Sequence, residues 1–116
     1  MNDNLLIQGK HKLVVTIVKK GTASKILETT KKAGAEGGTI LMGRGTAKKS
    51  IYLDLLGINF DPEKEVIFTI CDERKVDDIL EAIVSEAKLK KPGNGISFVV
   101  NINALSGVVH LLKNQL

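Results

Sequence analysis

Residues 34–64 read GAEGGTILMGRGTAKKSIYLDLLGINFDPEK, and the fold turns on how this stretch divides. Its first part, Gly37-Gly38-Thr39-Ile40-Leu41-Met42, predicts a short, glycine-led strand. After Gly43-Arg44-Gly45 no periodicity is visible for roughly twenty residues, several times the ~4–6 residues of an ordinary connection, which marks a candidate functional loop. Pro62 closes that loop, and Glu65-Val66-Ile67-Phe68-Thr69-Ile70-Cys71 predicts the next strand. Two strands therefore follow one another with no helix between them.

Working outward, Lys12–Lys19, KLVVTIVK, is rich in β-branched residues and bounded by charge. Its nearly continuous apolar run predicts a strand buried on both faces. Gly21 breaks the chain, and Thr22 or Ser24 can cap a helix by accepting a first-turn amide. Ala23, Ile26, Leu27 and Thr30 share one helical face, and Gly34 is a natural left-handed terminator. Beyond the third strand, Asp72 is a candidate N-cap, with Glu73 favourable at the positive end of the dipole. Val76, Ile79, Leu80, Ile83 and Val84 form an i, i+3, i+4, i+7, i+8 stripe, the clearest local signal in the chain. The basic segment Lys88–Gly95 ends that helix, and Ile96–Ile102 predicts a fourth strand. The final residues, 103–116, give an ambiguous pattern, in which Val108–Leu111 can form an edge strand.

The order is β-α-β-β-α-β. It predicts an α+β, ferredoxin-like fold: a four-stranded antiparallel sheet with two helices on one face and a long loop between strands 2 and 3. Residues 1–10 read as an N-terminal tail or arm, and residues 11–116 as a single domain. The helices cover only one face, so the apolar strands leave a second apolar face whose burial calls for oligomerisation.

Composition narrows the function. The 116 residues suffice for one domain. With aromatics at 3% and no Trp, the core is aliphatic and base-stacking platforms are scarce, which argues against a nucleic-acid partner. The net charge of +4 suits an anionic partner, or serves solubility alone. One cysteine excludes an internal disulfide and fits a reducing, cytoplasmic setting. No secretory signal is visible at the N-terminus, and no run approaches the ~20 apolar residues of a membrane-spanning helix, so no direct membrane insertion is expected.

Two segments are candidates for ligand binding. Gly37, Gly38 and Thr39 with Gly43, Arg44, Gly45 and Thr46 offer close backbone approach, exposed amides and a guanidinium for an anion. Lys90, Lys91, Gly93, Asn94 and Gly95 offer a basic glycine turn; the same residues also read as a helix terminus followed by a tight turn. Gly43-Arg44-Gly45-Thr46 lacks the lysine and length of a P-loop, and alone it reads as a tight turn. In the loop, Tyr52, Leu55 and Phe60 stand out as apolar contacts for a partner or for the body of the domain. His11 in its basic flank reads as solvated, Cys71 as a small core residue, and neither has metal-ligand spacing, so no metal site is expected. No acid–base or nucleophile pairing is visible, and the chain does not read as an enzyme.

Taken together, the β-α-β-β-α-β order, the Gly34…Gly37-x-Thr39 run, the long loop after Gly43-Arg44-Gly45, the segment Asp77–Val84 and the Gly93-Asn94-Gly95 turn resemble the PII signalling proteins over about residues 12–110. The resemblance implies a homotrimer with an adenine nucleotide in clefts between subunits. Thr39 and Gly45 would lie on one side of each cleft, with Gly93, Asn94 and Gly95 on the other. ATP, ADP, AMP or a cyclic dinucleotide is the implied effector. The protruding loop, called the T-loop in that family, would control a membrane transporter or a metabolic enzyme of nitrogen or carbon metabolism. The chain departs from the pattern in several places. The family's Gly-Asp-Gly-Lys turn is Gly93-Asn94-Gly95-Ile96 here, its arginine pair past strand 4 falls near Gly107 and Val109, and its loop-opening Arg-Gln is Thr46-Ala47. These departures point to a divergent PII-like member with an altered ligand. The alternative on the same topology is a regulatory domain that senses an amino acid or another small molecule.

Overall fold

A computed structural model describes residues 6–8, 10–45 and 62–107. The elements are β1 (Leu6–Gln8), β2 (His11–Lys19), α1 (Ala23–Lys32), β3 (Thr39–Arg44), β4 (Glu63–Asp72), α2 (Val76–Ala87), β5 (Gly95–Asn101) and β6 (Ala104–Ser106). Four strands form one antiparallel sheet in the order β3-β4-β2-β5, while β1 and β6 pair as a separate antiparallel ribbon. This is the expected ferredoxin-like arrangement. The ribbon is new: the residues read as an arm include a strand. The edge strand expected at Val108–Leu111 lies outside the described residues, and the segment just before it pairs instead.

The helices pack on one face of the sheet. There Val14 and Val18 of β2, Ile67 and Cys71 of β4, Ala23 and Ile26 of α1, and Ile79 and Ile83 of α2 form the core, joined by Ala35. The helical stripes read from the sequence supply these residues. Thr16 lies on the same face, wholly buried, and its hydroxyl is hydrogen-bonded to that of Ser97 at 3.0 Å.

Boundaries moved where backbone geometry outweighed pattern. The third strand of the sheet begins at Glu63, because Glu63 and Lys64 extend the ladder opposite Arg44 and Gly43. The second is Thr39–Arg44, shifted two residues towards the loop by the same register. Asp72 does cap a helical turn, but a short one. Its carboxylate accepts from the Arg74 amide at 2.8 Å and opens a 3₁₀ turn over Glu73–Lys75 ahead of α2. Thr22 stands at the N-cap of α1 without a side-chain cap, its hydroxyl donating instead to the Lys19 carbonyl at 2.7 Å. The cap comes from far along the chain: the Glu65 carboxylate accepts from the Gly21 amide and, at 3.1 Å, from the Ala23 amide.

Among the described residues, no element covers the other face of the sheet. Directly paired residues share a face, so the register places Leu41, Val66, Ile17 and Ile96 in one cross-strand row. Val15 lies with Phe68 and Phe98 in the next, and Leu13 with Ile70 and Val100 in a third. Ile96 is 56% exposed, Leu41 45%, Phe98 43% and Val100 40%. The expectation that β2 is buried on both faces thus holds within one chain only for the helix side and Val15.

Candidate functional site

The long connection leaves the sheet through a closed neck. Arg44 pairs with Glu63, and just beyond them the Gly45 amide donates to the Pro62 carbonyl at 2.7 Å. Lys20 braces the neck, its Nζ lying 3.2 Å from the Glu63 carboxylate. The Arg44 side chain is exposed and has no hydrogen-bond or ion-pair partner among the described residues. Thr46, Tyr52, Leu55 and Phe60 lie outside the described residues.

At the same end of the sheet, on the opposite edge, the chain turns through Gly93, Asn94 and Gly95 into β5. Gly95 pairs with Val18, one register step from the row that holds Gly43, Lys64 and Lys19. Gly43 lies on β3 and Gly95 on β5, the two outer strands. Three inter-strand steps of ~4.8 Å put them roughly 14 Å apart. The two candidate walls are therefore level with each other and cannot face one another within one subunit.

Gly37, Gly38 and Thr39 are not brought to this end. Thr39 pairs with Phe68, which lies opposite Val15 at the middle of the β2–β4 ladder, so β3 opens halfway along the sheet, five residues back from Arg44 at the neck. Gly38 has a packing reason to be glycine: a Cβ there would come within 2.7 Å of Leu27 Cδ1 and 3.1 Å of the Phe68 carbonyl. Gly95 has a stronger one. Its φ is +142°, and a Cβ would sit 2.3 Å from the Ile17 carbonyl oxygen. Gly43 has no such reason, since a Cβ would meet only Val66 Cγ2 at an ordinary 3.5 Å.

Asn94 is occupied structurally. Its side-chain amide donates to the Lys88 carbonyl at 3.0 Å and the Ala87 carbonyl at 3.4 Å, capping the C-terminus of α2. Lys90 and Lys91 are exposed and border an open depression along α2 with Glu81 and Ser85.

The reading of His11 as solvated is corrected: it is 2% exposed, the first residue of β2 paired with Asp72 at the end of the β2–β4 ladder, and among the described residues its Nδ1 has no hydrogen-bond partner. Beside it, the Arg74 side chain donates twice to Asp72, at 2.9 and 2.8 Å, and holds that carboxyl well below the usual carboxylate range. Cys71 is a buried core residue as expected; burial, then the Asp72 charge, pushes its thiol up. A space of about 10 Å³ borders His11, Glu36, Cys71 and Asp72, enough for one water. Among the described residues no group of three or more His, Cys, Asp or Glu is placed to hold a metal ion.

Sequence reasoning missed Glu65. A charged residue beginning an otherwise apolar strand was its only signal, and the partner amides lie more than forty residues away.

Fold and site together define a small α+β domain with a sheet face that no described residue covers and a braced neck where β3 and β4 meet the connection between them. The model of the nitrogen regulatory protein P-II family matches residues 11–109, and the chain belongs to that family, which is one of signalling regulators. Solved structures agree at the level of fold. PII of Arabidopsis thaliana bound to citrate is 20% identical, with 82% of this chain and 79% of that one covered and a TM-score of 0.62. A PII-like signalling protein of Thermus thermophilus is 24% identical over 84% and 89%, with a TM-score of 0.61. CutA of Synechococcus elongatus is 13% identical over 92% and 90%, with a TM-score of 0.70. No curated protein matches the sequence. Among the described residues no helix is long and apolar enough to cross a membrane.

Proposed function

We propose that this chain is a PII-like regulator that assembles as a homotrimer and binds a small anionic effector between subunits. An adenine nucleotide is the first candidate. The observation that carries the reading is the placement of the two glycine segments, level at one end of the sheet but on opposite edges. A cyclic, head-to-tail assembly sets the β3 edge of one copy beside the β5 edge of the next and makes one cleft from both. The bare apolar face supplies the driving force, since each large aliphatic side chain removed from water contributes about 1.5–3 kcal/mol.

In this reading Gly43, Arg44, Gly45 and Thr46 form one wall. Arg44, without a hydrogen-bond or ion-pair partner among the described residues, meets the anion, and Gly43 lets the backbone approach it. Gly93 and Gly95 form the other wall, while Asn94 sets the shape of the turn by capping α2. Gly37, Gly38 and Thr39, set back from the neck along β3, stand outside this wall. Lys90 and Lys91 supply positive charge outside it. The citrate named with the Arabidopsis PII structure fits an anionic effector. The loop, with Tyr52, Leu55 and Phe60, contacts a membrane transporter or a metabolic enzyme. Binding shifts it only by as much as the effector's affinity differs between loop states.

Calorimetric titration with ATP, ADP, AMP and cyclic dinucleotides tests the effector. Saturable binding of one per subunit, weakened at least tenfold by Arg44→Ala, is expected. Binding of none of them removes the nucleotide from the reading.

A further inference from the structure

A second cavity, of about 380 Å³, lies within one subunit between the start of α1 and the end of α2. That volume falls within the ~300–1,000 Å³ span of small-molecule sites. Lys19, Lys25 and Lys88 border it, with Thr22, Asn94 and a single carboxylate, Glu86. Apart from Asn94, none of these belongs to the intersubunit reading.

The positive charge here is not spent on the fold. The Gly21 and Ala23 amides at the head of α1 are already satisfied by Glu65. Lys19, Lys25 and Lys88 have no acidic partner among the described residues. Lys88 also occupies a place where the backbone asks for another residue. It ends α2 with φ 52° and ψ 51°, and it is the one non-glycine residue with positive φ among those described. Glycine is the ordinary choice at such a helix end. A lysine there keeps a strained conformation and puts a cationic residue on the border of the cavity. Strained residues of this kind concentrate at binding sites.

We propose that this cavity binds a small phosphate-bearing metabolite, gripped by Lys25 and Lys88. Lysine ammoniums serve as point charges for phosphate. Thr22 and Glu86 offer a hydroxyl and an acceptor for the polyol part of such a molecule. The site goes beyond the intersubunit cleft and does not depend on it.

The test is an NMR titration of the full chain with inorganic phosphate and, separately, glycerol 3-phosphate, in wild type and Lys88→Gly. Glycine suits the backbone at this position, so the variant should fold with an unchanged or higher Tm. The expected result is saturable shifts at Thr22, Lys25 and Lys88 in wild type, tighter for glycerol 3-phosphate, with affinity lost at least tenfold in Lys88→Gly. ATP binding, measured on the same two proteins, is expected to be equal in both, which separates this site from the cleft. Non-saturating shifts, shifts equal to those at the outlying Lys31 and Lys32, or full affinity in Lys88→Gly would overturn the proposal.

Discussion

At the scale of single residues, the glycines divide into those the fold requires and those it does not. Gly95→Ala forces a Cβ to within 2.3 Å of the Ile17 carbonyl oxygen at a positive φ. The expected cost is about 2–4 kcal/mol, read as a lower denaturation midpoint with an unchanged slope. Gly43→Ala meets only a 3.5 Å contact with Val66. It should leave stability within about 0.5 kcal/mol of wild type while weakening effector binding, as calorimetry would register. Equal stability of the two variants would contradict the division. Asp72 makes a pH-dependent contribution. Arg74 lowers its folded-state pKa, so the folded protein binds this proton less readily than the unfolded chain. The stabilisation is therefore present above the ordinary carboxylate pKa of about 3.9 and is lost as pH falls below it. In thermal melts taken from neutral to acid pH, Asp72→Asn should flatten the acid limb relative to wild type.

At the scale of elements, legibility followed the range of the interaction. The stripes of α1 and α2 were readable because Ile26, Ile79 and Ile83 repeat with the helix and occupy the core at those spacings. The order of strands and the long connection were readable for the same local reason. Cross-chain geometry was not. The Glu65 cap of α1, the burial of His11 and the pairing of Leu6–Gln8 with Ala104–Ser106 join residues far apart in sequence, and no local period encodes them. The candidate site shows the same split. Gly43–Gly45 and Gly93–Gly95 were visible as glycine turns, whereas their placement on opposite sheet edges required the register. Asn94 looked like a ligand residue, and the structure gives it a capping role. Glu65→Ala removes the acceptor for the Gly21 and Ala23 amides. By analogy with lost N-caps it should cost about 1–2 kcal/mol, with early hydrogen exchange at the head of α1. An unchanged midpoint would show that water replaces the cap without loss.

At the scale of the molecule, the apolar sheet face that no described residue covers is the feature that calls for assembly. Ile17 lies on that face in the inner strand β2, paired with Val66 on one side and Ile96 on the other. Because its side chain points away from the helices, Ile17→Asp should leave the fold intact and keep the subunit monomeric, as light scattering would register; a trimer of unchanged mass would exclude this face as the interface. The same variant reaches the central claim, that each effector site is built from two subunits. The decisive measurement is calorimetric titration of wild type and Ile17→Asp with the nucleotide that wild type binds best. The expected result is saturable binding to the wild-type trimer and none to the folded monomer. A monomer that binds as tightly as the trimer, or a trimer that binds no nucleotide, would contradict it.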